Sequence, residues 1–347
     1  MHILMPLHKK SVILQPDMEY SRSMDKNNKI IIQQLTGLCA LMHLLVDGIC
    51  ICCLYLMASQ FSAAHIAGIF ITYNVLAFMS QPFTGMWADR LERKHWMLLA
   101  AVLLLTLAVL ATSVVMSMEW QTFGMPVVAV LLGAGNSLFH VWGGKQVAVS
   151  TRNDIRALGA FVATGAFGLA LGAVFCSWPL LYIFLLSLCL LSIARLHIGE
   201  STSSAGSFEA VKSRFGATFV LVSVIALMVA VMMRSFVSES FSGGLPKNSE
   251  MVLLIGLMSM LGKMAGGWIA HWAGIVRMIV MILIVLVLCF LFKNQGMVAL
   301  FVGLFAVNCT MPVTLYLANV VLPGREGLAF GLLAAALIPG YLFAFVL

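Results

Sequence analysis

Gly85-Met86-Trp87-Ala88-Asp89-Arg90-Leu91-Glu92-Arg93-Lys94 is a dense polar island between two apolar runs, at about 65–86 and 95–116. Each run has the roughly 20 residues that a helix needs to cross a bilayer. The decamer therefore reads as the short connection between two membrane-spanning helices. A glycine one turn ahead of an acid lets two helices approach closely, and an acid facing several bases at a helix end suits a breakable ion-pair latch. Retention of basic residues on one side of the membrane accounts for Arg93 and Lys94. It does not account for the spacing of Gly85, Asp89 and Arg90.

The pattern of long apolar run and short polar break extends in both directions. Of 347 residues, 62% are hydrophobic and 10% charged, with a mean hydropathy of +1.04, which is too apolar for a water-soluble surface around a single core. Eleven apolar runs fall at about 37–57, 65–86, 95–116, 124–148, 157–176, 178–195, 216–238, 250–272, 277–292, 297–321 and 326–347. They predict an all-α polytopic membrane protein. The formal net charge of +7 sits in breaks between runs and forms no basic face with interleaved aromatics, so no nucleic-acid partner is expected. The eight cysteines lie inside predicted spans and read as small packing residues. No Gly-rich phosphate loop, paired-carboxylate site or zinc-type His/Cys cluster stands out. The reading is of a non-enzyme with no metal site and no cofactor.

The basic residues partition sharply. Fifteen, among them Arg90, Arg93, Lys94, Arg152, Arg156, Arg277 and Arg325, fall on one side of the predicted membrane; only Lys247 and Lys293 fall on the other. Positive residues stay on the cytoplasmic side, which places the amino terminus there. Residues 1–36 read as a cytoplasmic tail, with Met18 and Met24 as alternative starts, and lack the pattern of a signal peptide. Residues 37–195 form a first bundle of six helices, 196–215 a Ser/Gly-rich cytoplasmic linker, and 216–347 a second bundle of five. Gly267-Trp268-Ile269-Ala270-His271 ends the eighth run as Gly85 to Asp89 ends the second, a weak internal repeat of the kind from which transporters are built. Eleven crossings from a cytoplasmic start put the carboxyl end on the far side, with a twelfth helix missing from the expected count.

The decamer resembles the Gly-x-x-x-Asp-Arg-x-Gly-Arg-Lys signature of the major facilitator superfamily, with Glu92 in place of the second glycine. Five further stretches look like the fosmidomycin-resistance branch of efflux proteins in that superfamily. They are His43-Leu44-Leu45-Val46-Asp47, the segment from Gly133 to His140, Arg234 to Glu239 with Pro246, Gly262 to Gly267, and Leu322 to Gly327. Two departures are His271, where an acid is usual, and Val141-Trp142 after His140, where a proline is common. The resemblance implies two pseudo-symmetric helical bundles around a central cavity that rock to expose it to each side in turn.

His43 and Asp47 are four residues apart, so they share a helix face near mid-membrane. A charge there costs about 2.5–3.5 kcal/mol on insertion scales and needs a partner. The pair either takes up and releases a proton, as intramembrane acids beside histidine do, or is a neutral pair that locks helices. Asn136 and His140 have the same spacing and can line the cavity from the opposite wall, or be structural. Arg234 either snorkels or meets an anion, with Glu239 near; Lys145 snorkels; Lys263 lies deeper and holds helix eight or lines the cavity. Gly159, Gly165, Gly168 and Gly172 favour close packing and sliding. The expectation is proton-coupled efflux of a small amphipathic or anionic solute by a monomeric antiporter in a plasma or bacterial inner membrane, with protons and lipid as its other partners. An uptake symporter, a membrane sensor and a truncated remnant are the alternatives.

Overall fold

The computed structural model describes residues 26–58, 63–91, 95–117, 121–196, 212 and 214–346. The tail to residue 25, including Met18 and Met24, lies outside the described residues, as do Arg93, Lys94 and linker residues 197–211 and 213.

The described chain is helical throughout. Ten helices are long and apolar enough to cross a membrane, and an eleventh, Pro179–Arg195, is apolar but shorter at 17 residues. In chain order they are α1 (Lys26–Ala58), α2 (His65–Arg90), α3 (Trp96–Ser117), α4 (Gln121–Ser150), α5 (Ile155–Val174), α6 (Pro179–Arg195), α7 (Ala217–Ser242), α8 (Ser249–Ala273), α9 (Ile275–Phe292), α10 (Met297–Val321) and α11 (Glu326–Ala344). This is a polytopic membrane protein. The helix α1 starts at Lys26, well before the apolar run at 37, because polar residues such as Gln33 and Gln34 continue a helix beyond the bilayer as readily as they form a tail.

Three spans are not uniform. A π-turn at Val75–Met79 widens α2, α10 is interrupted between Asn308 and Met311, and α11 between Ala335 and Leu337. Beyond α4 the chain reverses through Arg152 and Asn153, both with positive φ (54° and 61°), and Asn is among the few side chains that tolerate that region. The outer faces stay apolar: Val276, Val280, Ile284 and Leu291 on α9 are exposed, as suits a surface solvated by lipid tails.

Within the first six helices, α1 packs along α5 and α3 along α4; in the remainder, α7 packs along α11 and α8 along α10. The two sets meet along α5–α8 and along the second part of α2 against α11. Both seams are lined by small residues. A Cβ on Gly85 of α2 would overlap the Gly327 carbonyl of α11, and one on Gly267 of α8 would lie 2.6 Å from the Ile155 oxygen of α5. The weak repeat at the ends of α2 and α8 thus corresponds to two like contacts, each a glycine against the first turn of a helix in the other half. These contacts lie at one end of the bundle, the basic end, near Asp89, Asp154 and Arg325.

Candidate functional site

Helix periodicity places His43 and Asp47 on one face of α1, and Nε2 of His43 stands 3.4 Å from Oδ2 of Asp47. The helix α4 presents Asn136 and His140 to the same carboxylate. Asn136 donates from Nδ2 to Asp47 Oδ1 at 3.1 Å, and His140 Nε2 lies 3.4 Å from that oxygen. The two imidazoles meet edge to face, with ring centroids 4.5 Å apart. All four residues are buried. Gly165 of α5 makes room for them, since a Cβ there would overlap both His43 Nε2 and Asp47 Oδ2.

The far nitrogen of each ring settles its tautomer. His43 Nδ1 lies 2.8 Å from the Phe161 carbonyl oxygen and His140 Nδ1 lies 2.9 Å from the Asn136 carbonyl oxygen. A carbonyl can only accept, so each Nδ1 carries a hydrogen. A neutral ring then turns the lone pair of Nε2 toward Asp47. Two lone pairs facing a carboxylate repel it unless something positive stands between them, so the arrangement can hold a proton or another cation.

The second half contributes unpaired positive charge. Arg234 on α7 is buried, with no hydrogen-bond partner at Nε or Nη2. Lys263 on α8 lies within electrostatic reach of both Arg234 and Asp47, and among the described residues it makes no hydrogen bond or ion pair. Asn308, at the break in α10, donates to the Leu304 carbonyl at 2.8 Å and lies 3.4 Å from the Ser238 hydroxyl on α7. Phe330 of α11 stands beside the first cluster, its ring centroid 6.4 Å from that of His140 and 6.1 Å from that of Phe161.

At the basic end, Asp89 closes α2 onto α11. Its Oδ1 and Oδ2 accept the backbone N–H groups of Gly327 and Leu328, each at 2.9 Å. These are among the N–H groups that the first turn of a helix leaves without partners, and a carboxylate there is further favoured by the helix dipole. Lys145 of α4 donates to the Ala88 carbonyl at 2.7 Å and lies 3.5 Å from Asp89. A second clasp joins Asn153 to α10: its Nδ2 donates to the Tyr316 carbonyl at 3.1 Å, and Asn319 Nδ2 donates to its Oδ1 at 2.8 Å.

The sequence matches no protein-family model and no curated protein. Its fold is nonetheless shared widely among solved structures. The E. coli fucose:proton symporter FucP superposes with a TM-score of 0.68 at 15% identity, over 92% of each chain. The chain has the major facilitator fold. The human organic anion transporter MFSD10 gives a TM-score of 0.66 at 18% identity, covering 92% of this chain and 93% of that one. The proton:xylose symporter XylE gives 0.58 at 14%, covering 92% and 89%.

Within this major facilitator fold, the residues singled out by sequence divide into three groups. His43, Asn136 and His140 converge on the Asp47 carboxylate, more tightly than two opposite cavity walls would bring them. Arg234 and Lys263 sit together in the other half. Gly85 and Asp89 form a contact between halves in which Asp89 grips the start of α11; Arg90 is exposed and pairs with no acid among the described residues, and Arg93 and Lys94 lie outside them. Lys145, expected to snorkel, belongs to that contact instead. Gly165, Gly168 and Gly172 pack against α1, whereas Gly159 packs against Gly267 and the Lys263 carbonyl of α8. Asn153 and Asn319 were not anticipated; only the left-handed preference of asparagine after a helix hinted at the first.

Proposed function

We propose that this chain is a secondary transporter that moves a small amphipathic or anionic solute by alternating access, with protons as coupling ions at Asp47 and His43. The observation that carries the reading is the pairing, across one interior, of an anionic cluster on α1 and α4 with two unpaired cations, Arg234 and Lys263, on α7 and α8. Buried charges without partners are costly. Arg234 and Lys263 are kept where a carboxylate, phosphate or phosphonate group would neutralise them, while Asn136 and His140 line the facing wall.

Export by proton antiport is the direction we favour, on the motifs shared with the fosmidomycin-resistance branch. Uptake by symport is the second reading, since FucP and XylE are named as proton symporters of sugars. On either reading the basic end faces the cytoplasm and is closed by the Asp89 contact, and the working unit is a monomer in a plasma or bacterial inner membrane.

The test is solute flux in proteoliposomes with and without an imposed pH gradient, over a panel of drugs, sugars and organic acids. Gradient-driven accumulation of an anionic solute, reversed when the gradient is reversed, is the expected result. Flux that ignores the gradient throughout the panel would remove proton coupling; no flux at all would remove transport.

A further inference from the structure

The ligating atoms of His43, Asp47 and His140 all lie within 4.8 Å of one another. Both contacts between imidazole nitrogen and carboxylate oxygen measure 3.4 Å. A charge-assisted N–H···O hydrogen bond is about 2.7–2.9 Å long, so neither contact is one at full strength. The same length has another meaning. Donors about 2.0–2.1 Å from the centre of a tetrahedron stand roughly 3.4 Å apart, so each imidazole nitrogen already lies one edge of a zinc-type site from a carboxylate oxygen.

Three independent observations point to an ion at this place. Each ring donates its Nδ1 hydrogen to a backbone carbonyl, the outer bond that metal-ligating histidines make and that fixes the Nε2 lone pair toward the metal. Asn136 is fully buried, its Nδ2 donates to Asp47, and its Oδ1 has no partner, an unsatisfied neutral oxygen on a side chain that already touches the cluster. Gly165 withholds a side chain from the spot where a Cβ would overlap one donor of His43 and one of Asp47.

We propose that His43, Asp47 and His140, with Asn136 Oδ1 as a fourth donor, bind a divalent transition-metal ion of the zinc class. Two imidazole nitrogens favour Zn²⁺, Co²⁺ or Ni²⁺ over Mg²⁺ and Ca²⁺, which take oxygen ligands. The ion and one carboxylate leave a net charge of +1. Lys263 on α8 opposes that charge, whereas Tyr73 on α2 and Cys50 on α1 face Asp47 as neutral groups. Metal and protons compete for the same lone pairs, so binding holds α1 to α4 and displaces any proton on Asp47 or either Nε2.

The experiment is calorimetric titration of the purified full-length chain, free of any polyhistidine tag, with Zn²⁺ and with Mg²⁺, alongside visible absorption with Co²⁺. We expect one Zn²⁺ per chain at micromolar affinity, no Mg²⁺ binding, and intense Co²⁺ bands of a four-coordinate nitrogen/oxygen site. His140→Gln and, separately, His43→Gln should each weaken Zn²⁺ binding at least tenfold. The wild-type titration alone overturns the proposal if Zn²⁺ fails to bind, or binds no better than Mg²⁺. Unchanged affinity in either folded variant overturns it too. No solute flux enters the readout, so the site stands or falls apart from the transport reading.

Discussion

At the residue scale, the cluster around Asp47 depends as much on a missing side chain as on those present. Gly165→Ala adds one methyl group where His43 and Asp47 already stand, and overpacking of this kind costs about 1–3 kcal/mol. The expected outcome is at least a tenfold loss of gradient-driven flux, with Gly68→Ala, whose Cβ would meet nothing within 4 Å, as the neutral comparison. Asp47→Asn keeps shape and one acceptor for Asn136 but removes the charge. It should abolish proton-coupled flux while membrane insertion and yield stay at wild-type level; retained gradient-driven transport would show Asp47 to be structural. The pairing of His43 with Asp47 was legible because four residues on one helix must share a face. The direct hydrogen bond from Asn136, expected only on an opposite cavity wall, was not, since that residue lies 89 positions from Asp47 and only tertiary packing brings it there.

At the scale of elements, the decisive contact is a carboxylate at the end of one helix gripping the start of another. A charge-assisted hydrogen bond is worth about 1.5–3 kcal/mol, so Asp89→Ala should shift the balance away from closure at the basic end by roughly ten- to a hundredfold. Labelling of cysteines introduced at each end measures that shift, and identical labelling of variant and wild type would reduce the motif to an anchor. Lys145→Gln should act in the same direction but more weakly, because Lys145 reaches Asp89 at 3.5 Å without a direct bond. The spacing of Gly85 and Asp89 marked a contact at the end of α2. The backbone N–H groups of Gly327 and Leu328 that Asp89 accepts could not be foreseen, because backbone donors leave no trace in a sequence.

The other half of the repeat bears on His271, which stands where the branch that the sequence resembles usually has an acid. Asp154 sits between α4 and α5, accepts the Arg156 backbone N–H at 2.9 Å and pairs with its guanidinium at 2.6 Å. Burial pushes the Asp154 carboxyl up, but Arg156, helped by His271 nearby, more than reverses this and holds it below the usual carboxylate range. The start of α5 therefore carries its own acid, and an acid at position 271 would face it. A carboxylate with a depressed pKa contributes stability at neutral pH that is lost as pH falls through the depressed value.

At the scale of the whole molecule, the two seams at α2–α11 and α5–α8 are alike in construction, and closure at the basic end is shared between Asp89 and Asn153. Replacing Asn153 and Asn319, whose side chains touch at 2.8 Å, by cysteines and joining them with a short reducible cross-linker should pin that end shut. Flux should stop when the link forms and return on reduction; transport that continues through a completed link would mean the halves do not separate there. Span number and the two-part order were open to a sequence reading because about 20 apolar residues leave a helix no other solvent than lipid. The breaks in α10 and α11 and the π-turn in α2 escaped it, since each changes backbone geometry without interrupting hydropathy.

The short interval between Gly327 and Phe330 couples the contact at Asp89 to the histidine cluster. Three residues of helix span about 4.5 Å, so the turn of α11 that Asp89 grips continues directly into the ring that stands beside His140. Helices move as rigid rods over such a distance. Lifting α11 from Asp89 must draw Phe330 off His140 in the same stroke, so the seal at one end of the protein and the cover over its buried histidine form a single interlock. If the chain works by alternating access, as we propose, unloading toward the basic side waits on release of Asp89, and one helical turn sets the order of the two events.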